Sequence, residues 1–287
     1  MNRSASKIEI GIVSDEIAQD FSEAVRTGLS WGVALYEIRS VASGRIPYVD
    51  GKDLRSIRSI VRDGEIAVTA LSPGSFKLPV SHRKEIDGQI NDGLPRTIEM
   101  AHELGAPMII VFGFQRETLK GTEERRLVVE RMQQVAEVAA KAGIIVAVEN
   151  EPGFWCDAGR NTAQLLADVG SPWIRANWDP ANAVGTGEEP YPDGYQALKE
   201  YIVNVHVKDT VKGALVECVP VGEGSIDWRS QLRSLVMDGV VQHVTVETHC
   251  LPLVEKSLRN VETLRRMLDD IYRERERPDS LNDKEEA

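Results

Sequence analysis

Four side chains that commonly bind metals stand at the ends of successive apolar runs in the second half of the chain. Glu149 follows Val146-Ala147-Val148, Asp179 follows Asn177-Trp178, His206 lies between Val205 and Val207, and Glu247 follows Thr245-Val246. Three carboxylates and one imidazole form a hard, oxygen-rich donor set suited to Mn²⁺, Mg²⁺ or Co²⁺, with Zn²⁺ also compatible. Four protein ligands leave an octahedral ion two open positions, which adjacent oxygens of a hydroxy-ketone could fill. An ion placed there would polarise the carbonyl and stabilise an enediolate. Without an ion the clustered carboxylates repel, and at least one pKa should rise. Each residue alone would read as a solvated rim acid or, for His206, a core histidine. Their equivalent places in consecutive runs are what point to a shared site.

Such residues need elements that bring the run ends together. Eight short runs rich in Val and Ile recur: Ile8–Val13, Leu35–Ile38, Ala67–Leu71, Met108–Phe112, Ile144–Val148, Ile174–Trp178, Val203–Val207 and His243–Val246. Most are continuous rather than alternating, the pattern of strands buried on both faces of a parallel sheet. The stretches between them predict helices over Asp20–Gly32, Asp53–Asp63, Arg83–Leu104, Thr122–Ala142, Asn161–Val169, Tyr195–Tyr201, Asp227–Met237 and Leu253–Arg275. Pro95 within the third implies two helices or a kink. Eight alternating strand and helix units fit a closed (β/α)₈ TIM barrel or an open doubly wound sheet. A barrel takes roughly 250 residues, which suits this length, and no GxGxxG follows an early strand. The expected architecture is therefore a single-domain (β/α)₈ barrel over 1–287, with a polar tail at 278–287. Barrel sites form at the C-terminal ends of the strands, which is where the four ligand-type residues fall.

Bulk properties narrow the partners. With 45 acidic against 34 basic residues the formal charge is −11, which disfavours nucleic acid and anionic lipid. Cys156, Cys218 and Cys250 offer neither a disulfide framework nor a CxxC pattern. No run approaches the ~20 apolar residues of a membrane span, and the N-terminus lacks a secretory signal, so a cytoplasmic protein is expected. Near the site, Lys208 shares the strand parity of His206 and could point into the mouth, or pair with Asp209 at the rim. Trp155, Trp178 and Phe154 could stack on a sugar or simply pack. Arg39 and Arg116 follow the second and fourth runs, where they could hold a phosphate or carboxylate, and Lys77 offers the same choice. Asp15 and Glu16 could meet substrate hydroxyls, and His249 could support Glu247.

At GIVSDEI, LSPGSFK, VAVENE, NWDPAN, VHVKD, VGEGSIDW and VTVETH the chain resembles the sugar phosphate isomerase/epimerase superfamily of xylose-isomerase-like barrels. The resemblance covers nearly the whole chain. It implies one divalent metal on Glu149, Asp179, His206 and Glu247, and Glu149 and Glu247 as the acid/base pair on opposite faces of a carbohydrate substrate. It also implies possible homo-oligomers, although no interface signature stands out. Three positions differ from the keto-sugar epimerases of that superfamily. Asn182 stands where they have a histidine and could bond a substrate hydroxyl; Lys212 stands in place of an arginine; Glu151 stands where many relatives have a histidine. The implied reaction is isomerisation or epimerisation of a sugar or cyclitol ketone, with a metal-dependent dehydratase or lyase on a keto-sugar or dehydroshikimate-like substrate as the alternative. AP endonucleases share the fold but need several more histidines than this chain offers, and a non-enzymatic sugar-binding barrel would lack turnover.

Overall fold

The computed structural model describes residues 7–117, 121–211 and 217–276; Lys212 and the 278–287 tail lie outside them. Eight parallel strands close into a barrel: β1 Glu9–Val13, β2 Leu35–Ile38, β3 Ala67–Leu71, β4 Met108–Phe112, β5 Ile145–Glu149, β6 Ile174–Trp178, β7 Ile202–Val207 and β8 His243–Val246. Each strand pairs with its neighbours in sequence, and β8 closes onto β1. The expected runs and observed strands differ by at most a residue at an end. The ladder begins at Glu9 because the Ile8 N–H bonds the Tyr272 hydroxyl instead. β5 extends to Glu149, which pairs with Phe112 on one side and Asn177 on the other.

Helices cover the barrel: α1 Phe21–Ser30, α2 Gly51–Arg62, α3 Leu94–Leu104, α4 Gly121–Ala142, α5 Gly159–Val169, α6 Tyr195–Leu198, α7 Trp228–Asp238 and α8 Leu253–Glu276. Asp20, Asp50 and Asp227 cap α1, α2 and α7 through side-chain acceptance of backbone N–H groups, satisfying donors that a helix start leaves free. The expected Arg83–Leu104 helix is continuous, running through Arg83–Gly88, a π-helical segment Gln89–Gly93 and α3, with helical dihedrals at each junction. Pro95 directly follows the π-helical segment, the local change of hydrogen bonding expected where an imino nitrogen removes one helical donor. The expected Tyr195–Tyr201 helix stops at Leu198.

Strand parity divides the core into two. Outward side chains, among them Tyr36 and Trp178, join the helices in one large apolar layer. Inside the barrel, Ala70, Met108, Ile110 and Ala147 form a small separate cluster. Across from it the interior is polar: Asn204 Nδ2 donates to Asn177 Oδ1, and Thr245 Oγ1 donates to Asn204 Oδ1. The next inward residues after Asn177, Asn204 and Thr245 are Asp179, His206 and Glu247, so alternation alone carries polarity up to the C-terminal mouth.

Candidate functional site

Glu149 is the last residue of β5 and His206 the penultimate residue of β7, while Asp179 and Glu247 directly follow β6 and β8. Neighbouring strand ends are fastened together. Asn150 Nδ2 donates to the Asp179 carbonyl, and the Asp179 N–H donates to Asn150 Oδ1. Asp179 also caps the single turn Pro180–Ala183, its Oδ1 accepting from Asn182 N at 3.1 Å. The Glu247 N–H bonds the Val207 carbonyl. One ligand atom from each of Glu149, Asp179, His206 and Glu247 lies within 4.8 Å of the others, and all four residues are buried. His206 Nδ1 and Asp179 Oδ2 are buried without a hydrogen bond; Asp179 Oδ2 has a charge contact of 2.7 Å with Lys208 Nζ, which lacks hydrogen-bond alignment. An imidazole nitrogen without a hydrogen bond, converging with three carboxylates, is a donor set that fits a divalent cation.

The charges around the cluster are closely matched. Lys208 Nζ lies 2.9 Å from Glu247 Oε2 as well as touching Asp179. Its side chain shares the inward parity of His206; Asp209 turns away, accepting from the N–H groups of Gly222, Gly224 and Ile226. Burial opposes the lysine charge, but Asp179, Glu247 and Glu149 outweigh it and hold the pKa well above the ordinary value. Burial likewise opposes charge on Glu247, and Lys208, His206 and His249 overcome it, keeping this carboxyl well below the usual range. Asp179 is pushed up chiefly by burial, which the Lys208 charge opposes, with repulsion from Glu247 and Glu149 as a lesser cause. His206 is held above the ordinary histidine value because Glu37, Glu149 and Glu247 outweigh its burial.

Glu149, His206 and Glu247 of the cluster line a cavity of about 260 Å³, as do Arg39, Asn182 and Lys208. Other residues expected near a substrate are elsewhere. Trp178 is fully buried in the outer layer, donating from Nε1 to Gln231 on α7. Its parity is opposite to that of Asp179, which accounts for the mismatch. Trp155 donates to Glu124 and lies against the Arg116 guanidinium, which in turn pairs with Asp157; neither Trp155 nor Arg116 lines the cavity. Phe154 packs on Phe112, and it is Phe112 that forms the aromatic wall, with Lys77 Nζ 3.8 Å above its ring. Asp15 and Glu16 bind Arg39 rather than facing the cavity. Arg39 also holds Glu247 Oε1 at 2.8 Å, so three carboxylates of the chain already occupy its guanidinium. His249 Nε2 approaches Glu247 Oε1 at 3.2 Å.

Sequence reasoning passed over Glu37. This fully buried acid on β2 lies 2.8 Å from His206 Nε2 through Oε2, and its Oε1 accepts from Ser72 Oγ. With Nε2 engaged, Nδ1 is left facing Glu149 and Glu247, at 3.4 and 3.5 Å. A carboxyl in an apolar run, with the same parity as Arg39, was the available signal. Glu37 is thus placed to orient the imidazole from behind. Glu37→Gln removes the charge and keeps the shape; it should weaken divalent-metal affinity about 10- to 100-fold, read by competition with a chromophoric chelator. Unchanged affinity would remove Glu37 from that role.

A family model described as xylose isomerase-like TIM barrel matches residues 26–271. The chain is 23% identical over 203 residues to 2-epi-5-epi-valiolone 7-phosphate 2-epimerase from Actinoplanes sp., covering 70% of this chain and 72% of that one. Among solved structures, a D-tagatose 3-epimerase-like protein superposes with a TM-score of 0.78 at 18% identity, covering 93% of this chain and 99% of the other. A xylose isomerase-like TIM barrel protein from Mycobacterium smegmatis in complex with magnesium gives 0.70 at 15% identity, covering 93% and 97%.

Proposed function

The chain belongs to the xylose isomerase-like TIM barrel family, and on that premise we propose that it is a divalent-metal-dependent isomerase or epimerase acting on a sugar or cyclitol ketone. The observation that carries this reading is the convergence of Glu149, Asp179, His206 and Glu247 at the barrel mouth, where Glu149, His206 and Glu247 line the cavity. These four residues would hold the ion, which would polarise the ketone oxygen and favour loss of the proton on the adjacent carbon. The substrate names of the epimerase relative and the magnesium held by a structural relative support the same assignment.

The chain's own groups divide the proton work. Glu149 Oε1 is touched by Asn182 Nδ2 and His206 Nδ1 at 3.3 and 3.4 Å, and no described residue bonds its second oxygen. That oxygen is available to remove a substrate proton, the condition a metal-binding base must meet. Glu247 has both oxygens engaged by cations. As the second station it would act only after taking a proton from solvent, which it would deliver to the neighbouring carbon or the opposite face while Glu149 keeps the proton it removed. Asn182 Nδ2, between Glu149 and Glu151, is placed to orient a substrate hydroxyl. Nothing here requires nucleic acid, and among the described residues no helix is long and apolar enough to cross a membrane.

Elemental analysis of protein purified without chelators should find about one equivalent of Mn, Co, Mg or Zn, absent from a folded His206→Ala variant. A ketose turned over in D₂O should then acquire deuterium beside its carbonyl. Absence of metal even after reconstitution sinks the proposal. A product lighter by one water would replace isomerisation with elimination.

A further inference from the structure

The cavity wall carries a guanidinium that no described acid contacts in a hydrogen bond or ion pair. Arg45 sits on the hairpin Ser40–Val41/Gly44–Arg45 that follows β2, and it lines the cavity at its exposed rim. Among the described residues, its side chain makes no hydrogen bond or ion pair. This is unexpected in a chain where acids outnumber bases 45 to 34. Arg39, Lys208 and Lys77 in the same wall all touch carboxylates. Arg45 is instead seated by shape. Gly74, after β3, has a φ of +75°, and a Cβ built there would come within 2.7 Å of Arg45 Nε and 2.8 Å of its Cζ. A side chain at Gly74 would crowd the guanidinium in its present position.

We propose that Arg45 receives an anionic oxyacid group, a phosphate monoester or a carboxylate, at the solvent-facing end of the substrate. The inference rests on the ketone-isomerase reading for the other end of that substrate. The planar fork of arginine matches both groups in a bidentate manner. Lys77, 3.6 Å from Glu151, adds a second positive charge to the same wall.

Calorimetric titration of the metal-reconstituted protein with D-fructose, D-fructose 6-phosphate and 5-keto-D-gluconate tests this. At least one charged ketose should bind about tenfold or more tightly than D-fructose, and Arg45→Met should abolish the difference while retaining metal. A preference for the phosphate assigns a phosphate ester; a preference for the keto acid assigns a carboxylate. No advantage for either anion, including no binding of any of the three, overturns the proposal, as does an advantage that survives Arg45→Met. Metal content of the same samples separates the readings: metal without a charged preference defeats Arg45 alone, and a charged preference without metal defeats the metal site alone.

Discussion

Glu149→Gln should lower solvent proton exchange into a turned-over ketose by about 10²- to 10⁴-fold, the range for losing a positioned general base, with the fold preserved. Glutamine keeps the volume and the oxygen that meets Asn182 Nδ2 but cannot accept the proton. Because Glu149 also stands in the ligand cluster, metal content has to be read beside the rate. A variant that keeps its metal and loses exchange identifies the base. One that keeps both removes Glu149 from the mechanism. Glu247→Gln makes the contrast: it withdraws the counter-charge from Arg39, Lys208 and His249 together, so stability and metal binding should fall along with the rate.

The barrel was legible because its strands are short apolar runs and three of its helices open on capping aspartates, both local signals. The convergence of Glu149, Asp179, His206 and Glu247 was legible for a related reason. Once the runs are strands of a closed parallel barrel, their C-terminal ends must meet. What could not be read locally was which way neighbouring side chains face and what they find there. Trp178 and Asp179 are adjacent in sequence, yet one enters the helical layer and the other the mouth. Arg116 has a partner, Asp157, that lies 41 residues away and is brought close only by the loops after β4 and β5. Glu37 and Arg45 were overlooked for complementary reasons. The first lies inside an apolar strand, and its pairing with His206 spans 169 residues. The second gains meaning only from the missing side chain of Gly74 in another loop. Parity would have recovered Glu37; nothing in the local pattern would have recovered Arg45.

Lys208→Met should destabilise the metal-free protein by about 3–5 kcal/mol, the usual result of removing one partner from a buried charge pair. Asp179, Glu149, Glu247 and Glu37 are all buried at the same end of the barrel, and Lys208 is the ammonium in contact with both Asp179 and Glu247. Methionine keeps the apolar stem but leaves Asp179 without its ammonium and Glu247 dependent on Arg39 and His249. Lys208 therefore acts as resident counter-ion to part of the same donor set that would bind the metal, and lysine and metal compete for the charge of Asp179 and Glu247. Urea unfolding in the presence of a chelator should show the loss. Saturating Mn²⁺ should recover much of it, because an ion that binds only the folded state stabilises in proportion to its saturation. The variant should also bind Mn²⁺ more tightly than the parent, since no ammonium then opposes the incoming charge. Equal stability of the two metal-free proteins would show that the carboxylates do not depend on Lys208. Weaker Mn²⁺ binding by the variant would mean that the ammonium organises the ligands instead of competing with the ion.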